Sequence, residues 1–414
     1  MKVALVHDWL TGMRGGERCL EAFLCLYPNA DIFTLVHIPG TTSEQIDRRV
    51  VATSFLNRIP GIRRLYKAFL PLYPLAVSSF DLSGYDLVIS LSHAAAKNVR
   101  VPVGTPHICY CFTPMRYIWD QVASYLRGVR YLCALPLIQT LRVWDRWGAQ
   151  RVTRFVAISG FIAARIRTFY GRSSTVIAPP VRMAEENALR LTLAEERFFA
   201  SNPGPFFLCA GALVPYKKID VAVEAFNELQ EPLWIVGGGP ELAKIQRLAG
   251  SNVEVLGRVS EAFLWECYKR CRALIFPGIE DFGIVPVECL SSGKPVIGID
   301  AGGLRESVVG WRPWRDKNLV PMEHTGVFVP KERCGDPEAI VDAVRAFCDV
   351  ENVFNANTLK ARARQFGYAR FFQEWESFLR DSHVMKSDAG RGAQAERVAN
   401  SDGIIGERVR DSSC

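Results

Sequence analysis

Long apolar runs, paired cysteines and metal-ligand spacings are all missing from this chain of 414 residues. No stretch approaches the roughly 18 consecutive apolar residues that a membrane-spanning helix needs. The opening Met-Lys-Val-Ala-Leu-Val-His-Asp turns polar too early for the apolar region of a secretory signal. The 12 cysteines are scattered. Cys109 and Cys111 alternate in a strand-like run, and Cys267 and Cys271 stand one helical turn apart, but there is no C-x-x-C and no Cys/His pair with zinc spacing. Reduced, buried thiols and a cytoplasmic location are the expectation. No repeat with a period of about 20–50 residues is visible. Basic residues are dispersed and form no recognised nucleic-acid module, so nucleic acid is not an expected partner.

What is present is an ordinary globular composition, 49% apolar and 22% charged, with a small net charge of +7. Disorder, collagen and coiled coil are excluded for the bulk of the chain, and the length predicts two domains or one large one. Short Val/Ile/Leu runs alternate with helical patterns from end to end. Val3–Val6, Ile32–Val36, Leu87–Leu91, His107–Cys111 and Phe155–Ile158 read as strands in the first half. Phe206–Ala210, Leu233–Val236, Val253–Leu256, Ala273–Phe276 and Val296–Ile299 repeat the rhythm in the second. Continuous apolar strands separated by helices indicate parallel sheets covered on both faces. The fold class is therefore α/β, two doubly wound Rossmann-like domains.

The boundary is expected between Pro179-Pro180 and Pro203-Gly204-Pro205, giving domains over 1–180 and 181–364. The charged segment Arg182–Arg197 reads as linker or surface helix, and Pro337–Leu379 as mostly helical. From residue 386 to 414 the chain is Gly/Ser/Asp/Arg-rich, an expected disordered tail.

Doubly wound sheets bind ligands at the carboxyl ends of their strands, so polar residues there carry the functional signal. Three segments qualify. After the first strand, Gly15-Gly16 enters a helix and lets backbone amides face a phosphate; the plain alternative is a tight turn. After Phe206–Ala210, Lys217-Lys218 opens a helix, where cations are unfavourable unless an anion joins them; the alternative is a solvated pair. After Ala273–Phe276, Glu280 lies on the strand-end loop and Glu288 near the start of the next helix, with Pro286 in its first turn. Carboxylates accept from sugar hydroxyls while amides hold an anion, although each acid also has a purely structural reading.

Together these residues resemble the retaining GT-B glycosyltransferases of the GT4 type. Glu280 and Glu288 match the E-x7-E element, flanked by Asp281-Phe282-Gly283-Ile284-Val285-Pro286-Val287-Glu288, Ser292-Gly293-Lys294-Pro295 and Ala301-Gly302-Gly303-Leu304-Arg305-Glu306. Val255-Leu256-Gly257-Arg258 and Ile235-Val236-Gly237-Gly238-Gly239-Pro240-Glu241 stand in the expected order. His7-Asp8-Trp9-Leu10, Ser90-Leu91-Ser92-His93 and Cys109-Tyr110-Cys111-Phe112-Thr113-Pro114-Met115-Arg116 resemble the branch of polysaccharide and lipopolysaccharide mannosyltransferases.

The resemblance implies roles. Glu280 would bind donor-sugar hydroxyls beside the amides of Phe282 and Gly283, and Glu288 the nucleotide ribose. Lys217 and Lys218 would hold the diphosphate, opposite Gly15-Gly16, with Gly257 and Arg258 beside the base. His93 would be the cleft histidine, so Glu280, His93 and Lys217 form the implied catalytic set. A helix within 365–385 would cross back to the first domain. Two positions depart from the pattern: Ala212 replaces an arginine common in relatives, and Phe112 replaces a histidine before Thr-Pro.

The implied reaction is hexose transfer, mannose from GDP-mannose, onto a lipid-linked or lipopolysaccharide acceptor. No cofactor and no metal is expected, since D-x-D, the mark of metal-dependent GT-A transferases, is absent. The alternatives are a UDP-sugar donor, a non-catalytic nucleotide-sugar binder, or a nicotinamide dehydrogenase; the last lacks a G-x-G-x-x-G after the first strand. Residues 57–73 mix Arg58, Arg63, Arg64 and Lys67 with Leu, Tyr and Phe. That pattern suits either an anionic membrane surface or packing on the first sheet.

Overall fold

The computed structural model describes residues 1–120, 122, 129–186, 189–316 and 322–381. The chain forms two compact units, Met1–Phe372 and Gln373–Cys414. The expected tail, 386–414, lies outside the described residues.

The first unit carries two seven-stranded sheets, every pairing parallel. In chain order the first sheet holds β1 (Val3–Leu10), β2 (Asp31–His37), β3 (Val50–Thr53), β4 (Leu87–Ser92), β5 (His107–Cys111), β6 (Arg154–Ala157) and β7 (Thr175–Val176). Their spatial order is β3-β2-β1-β4-β5-β6-β7. The second sheet holds β8 (Phe207–Ala210), β9 (Leu233–Val236), β10 (Val253–Gly257), β11 (Leu274–Phe276), β12 (Val296–Ile299), β13 (Gly310–Trp311) and β14 (Gly326–Val329). It is ordered β10-β9-β8-β11-β12-β14-β13. The strand order reverses between β1 and β4 in one sheet and between β8 and β11 in the other. Each reversal splays two strand-to-helix loops apart and opens a crevice at the strand ends.

Helices cover both faces because the strands are apolar on both. Helix Gly15–Leu26 buries Cys19, Leu20, Phe23 and Leu24, and Ile219–Leu229 buries Ile219, Val223 and Phe226. Burying each such large side chain stabilises by about 1.5–3 kcal/mol. Phe371, inside the first unit, sets its ring edge-on to Phe23 at 5.6 Å and to Tyr110 at 6.0 Å. The helical stretch after Pro337 resolves into Pro337–Val350, Ala356–Arg364 and Tyr368–Asp381.

One expectation changes. β1 continues past Val6 to Leu10, pairing Trp9 with Val36 and Leu10 with His37. His7 and Asp8 are thus strand residues, tolerated because both find backbone partners. Residues 57–73 fold as short helical turns, with Ile62, Tyr66 and Tyr73 buried in the same cluster as Trp9, and Phe69, Leu70 and Leu72 packed on it. Most of the segment's apolar side chains thus pack on the first sheet, while Leu65 is exposed. Arg58 is exposed, while the side chains of Arg63, Arg64 and Lys67 lie outside the described residues.

Candidate active site

The polar residues collect at the two crevices. At the second, Lys217 ends a single turn, Pro215–Lys217, that follows β8. The loop after β11 passes so close that a Cβ on Gly278 would stand 2.7 Å from Lys217 Cα. That approach brings Lys217 Nζ within 2.7 Å of Glu280 Oε1, both side chains largely buried. Burial alone would lower the lysine pKa; the Glu280 carboxylate and Tyr216 outweigh it and raise the value, so the ammonium stays charged. Lys218 adopts a left-handed φ of 56° at the start of Ile219–Leu229 and is exposed. Its charge lowers the Cys334 thiol pKa, against the larger effect of burial.

Glu288 falls in the middle of helix Ile284–Ser291, which follows Gly283 at φ 90°. It is buried, receives the Tyr268 hydroxyl at 3.0 Å, and has Arg18 Nη1 3.9 Å away. Burial raises its pKa, against the pull of Arg18 and Tyr268. Phe282 turns its ring inward against Phe366, 5.5 Å between centroids, so any ligand contact from it is through the backbone. Gly257 and Arg258 close β10 beside Gly237–Gly239: the Gly237 amide donates to the Gly257 carbonyl at 2.7 Å, and Arg258 Nε lies across Gly238.

At the first crevice, the buried Asp8 carboxylate accepts four consecutive amides, from His93 (2.7 Å), Ala94 (2.9 Å), Ala95 (2.6 Å) and Ala96 (2.8 Å). His93 Nδ1 lies 3.2 Å from the same carboxylate, and the His7 ring centroid is 5.8 Å from that of His93. Phe112 joins this group, 6.3 Å from His93 and 6.4 Å from His7. Gly15 connects the crevices, for a Cβ on it would meet Ile284 Cδ1 at 2.7 Å.

Several bridging residues went unassigned in the sequence reading. Asp281 is held by Arg116 and, at 3.1 Å, by Arg165. Glu306 accepts the amides of Gly160 (2.7 Å) and Phe161 (2.9 Å) at the start of helix Gly160–Tyr170. Arg18 reaches Glu261 at 3.1 Å. Asp281 was signalled by its place beside Glu280, Asp8 by a charge inside an apolar run, and Glu306 by the Ala301–Glu306 motif; Arg165 carried no local signal. Among the described residues no group of three or more His, Cys, Asp or Glu side chains could hold a metal ion, and no helix is long and apolar enough to cross a membrane.

Two doubly wound parallel sheets in one chain, with carboxylates and a charged lysine converging where strand order reverses, form a GT-B fold. Residues 194–366, which carry Lys217, Glu280 and Glu288, match the family model Glycosyl transferases group 1. The chain is 34% identical over 109 residues to the uncharacterized glycosyltransferase MJ1178 of Methanocaldococcus jannaschii, covering 25% of this chain and 31% of that relative. The match thus spans about a third of that relative's length. The lipopolysaccharide core biosynthesis mannosyltransferase LpsB of Rhizobium meliloti is 27% identical over 333 residues, 73% of this chain and 88% of LpsB. Among solved structures, Anabaena HepE in complex with UDP superposes with a TM-score of 0.63 at 17% identity, over 92% of this chain and 100% of that one.

Proposed function

We propose that the chain is a retaining glycosyltransferase that moves a hexose, mannose from GDP-mannose, to a lipid-linked or lipopolysaccharide acceptor at the inner face of the membrane. The observation that carries the reading is the buried Lys217–Glu280 pair, 2.7 Å apart at the switch point of the second sheet, with Glu288 on the following helix. The similarity to LpsB, a lipopolysaccharide core mannosyltransferase matched over most of both chains, supports the sugar and acceptor class.

The chemistry follows from the charges. The C1–O bond to the diphosphate breaks with its electron pair going to the diphosphate, and the acceptor oxygen bonds to C1 on the same face. The acceptor proton passes to the departing diphosphate oxygen, so charge and atoms balance. Lys217, kept cationic by its surroundings, stabilises the developing negative charge, and the amides at the start of Ile284–Ser291 add to it. Glu280 accepts from donor hydroxyls, and Glu288 from the ribose. His93, held by Asp8, lines the acceptor side.

The test is donor hydrolysis and transfer with a panel of GDP-, UDP- and ADP-sugars, using the chain and its Glu280→Gln variant, with flotation on anionic liposomes for the location. Preferred turnover of GDP-mannose, lost in Glu280→Gln, is the expected result. Full transfer by Glu280→Gln, or preferred turnover of a UDP-sugar, overturns the respective assignment.

A further inference from the structure

His7 is completely buried near the crevice end of β1. Its Nδ1 lies 3.1 Å from the Trp9 carbonyl oxygen. A carbonyl can only accept, so Nδ1 carries the hydrogen and Nε2 presents a bare lone pair. That Nε2 is buried and has no hydrogen-bond partner in the protein. A buried acceptor left unmatched is destabilising, and native chains rarely keep one without a use.

What faces this nitrogen is the start of helix Gly15–Leu26. A Cβ on Gly16 would stand 3.4 Å from His7 Nε2 and 3.6 Å from Phe112 Cε2. The side chain that Gly16 lacks therefore leaves a small space bounded by the Nε2 lone pair, the Phe112 ring and the first turn of the helix. No side chain caps that helix at Arg14, and the first amides of a helix have no partner within it. The space thus adjoins the acceptor Nε2 and the first turn of a helix whose leading amides have no partner within it.

Those demands select the ligand's chemistry. A phosphate or carboxylate oxygen would suit the amides but would meet the lone pair of Nε2 with another. A hydroxyl satisfies both, taking amide hydrogens on its oxygen and giving its own hydrogen to Nε2. We infer that His7 Nε2 is a receptor for a sugar hydroxyl, seated over Gly16 at the start of helix Gly15–Leu26. Burial, assisted by His93 and opposed by Asp8 and the Trp9 carbonyl, lowers the His7 pKa to about 3, so the lone pair persists at neutral pH. The inference rests on the transferase reading and assigns to that site a contact at a residue given no role above. The hydroxyl comes from either the donor sugar or the acceptor sugar, and the two sources are separable.

The experiment compares the parent, His7→Phe, His7→Gln and Glu280→Gln in nucleotide-sugar hydrolysis without acceptor and in transfer with acceptor, resolving kcat from KM and recording Tm. The Phe variant keeps a ring without an acceptor; the Gln side-chain oxygen reaches about as far as Nε2. Expected is a fall of about tenfold or more in transfer kcat for His7→Phe, the weight of one aligned hydrogen bond, with substantial recovery in His7→Gln. A loss that appears in hydrolysis as well assigns the hydroxyl to the donor sugar, and a loss confined to transfer assigns it to the acceptor. The inference is overturned if His7→Phe stays within about twofold of the parent in both assays, or if His7→Gln is no better than His7→Phe. Glu280→Gln separates the two readings: its loss of turnover upholds the transferase site whatever His7 does. A parent that turns over no nucleotide sugar overturns both.

Discussion

Arg165 Nη1 lies 3.1 Å from Asp281 Oδ1, an ion pair between side chains 116 residues apart in the chain. Arg116 pairs with the other oxygen of the same carboxylate, and the Ser159 hydroxyl donates to the Asp281 carbonyl at 2.6 Å. Burial alone would lower the Arg116 pKa, but Asp281 and Tyr216 raise it above the ordinary arginine value. The residue beside Glu280 is thus anchored to the loop after β5 and the helix after β6, and the loop's position depends on that anchor.

Asp281→Asn tests the anchor. It leaves two guanidinium groups facing a neutral amide, and removing one partner of a buried pair typically costs about 3–5 kcal/mol. Tm should fall, and kcat/KM should fall further than the loss of folded protein explains. A double-mutant cycle with Arg116→Met should show coupling of at least about 1 kcal/mol. Strict additivity would remove Asp281 from the positioning of Glu280.

The convergence of Lys217 and Glu280 was legible because strand-end loops in a doubly wound sheet meet where strand order reverses, and both residues follow apolar runs. The Arg165–Asp281 pair was not, since nothing local marks which helix will face the β11 loop. β7 and β13, two residues each, are too short to show any periodicity. Residues 57–73 were ambiguous for a different reason. An apolar stripe beside arginines has the same spacing whether lipid or a sheet covers it, and only the folded chain shows Tyr66 5.0 Å from Trp9. The length of β1 turned on Asp8: a charge reads as a strand end unless four amides are waiting for it.

Glu17 gives an alkaline-side prediction. Desolvation raises its carboxyl from 4.5 to about 7. Between those values the folded chain holds a proton that the unfolded chain has released, so stability is full below pH 4.5 and declines as pH rises through 7. Glu17→Gln removes that decline, and its advantage in urea unfolding should grow from pH 5 to pH 8, by at most about 3 kcal/mol. An advantage independent of pH would place the effect elsewhere.

His107 gives the opposite sign. Its ring is buried, with Nε2 2.8 Å from Ser90 Oγ, and burial, then Arg151 and Lys97, lowers its pKa from 6.5 to about 3. Below pH 6.5 the unfolded chain takes up a proton that the folded chain refuses, so stability present above 6.5 is lost as pH falls toward 3. At pH 5 the loss is about 2 kcal/mol for this residue. His107→Gln should flatten the fall in urea midpoint between pH 6.5 and 5, and an unchanged slope would show that His107 does not drive it.

Gly237 ties the ends of three strands together, and its substitution should be severe. Its amide donates to Gly257 at 2.7 Å, and a Cβ on it would stand 1.8 Å from the Gly211 carbonyl oxygen, with φ at 145°. No backbone oxygen can be approached at that distance, so Gly237→Ala must separate β9 from the loop after β8, the loop that carries Lys217. Gly335 makes the control: its φ is 99°, but nothing lies within 4 Å of the Cβ position. Gly335→Ala therefore isolates the backbone strain, about 1–3 kcal/mol, without the clash. Urea unfolding should show Gly237→Ala losing clearly more than Gly335→Ala, with donor turnover lost in the first and kept in the second. Equal losses would mean the β8 loop can yield, and that the position of Lys217 does not depend on this contact.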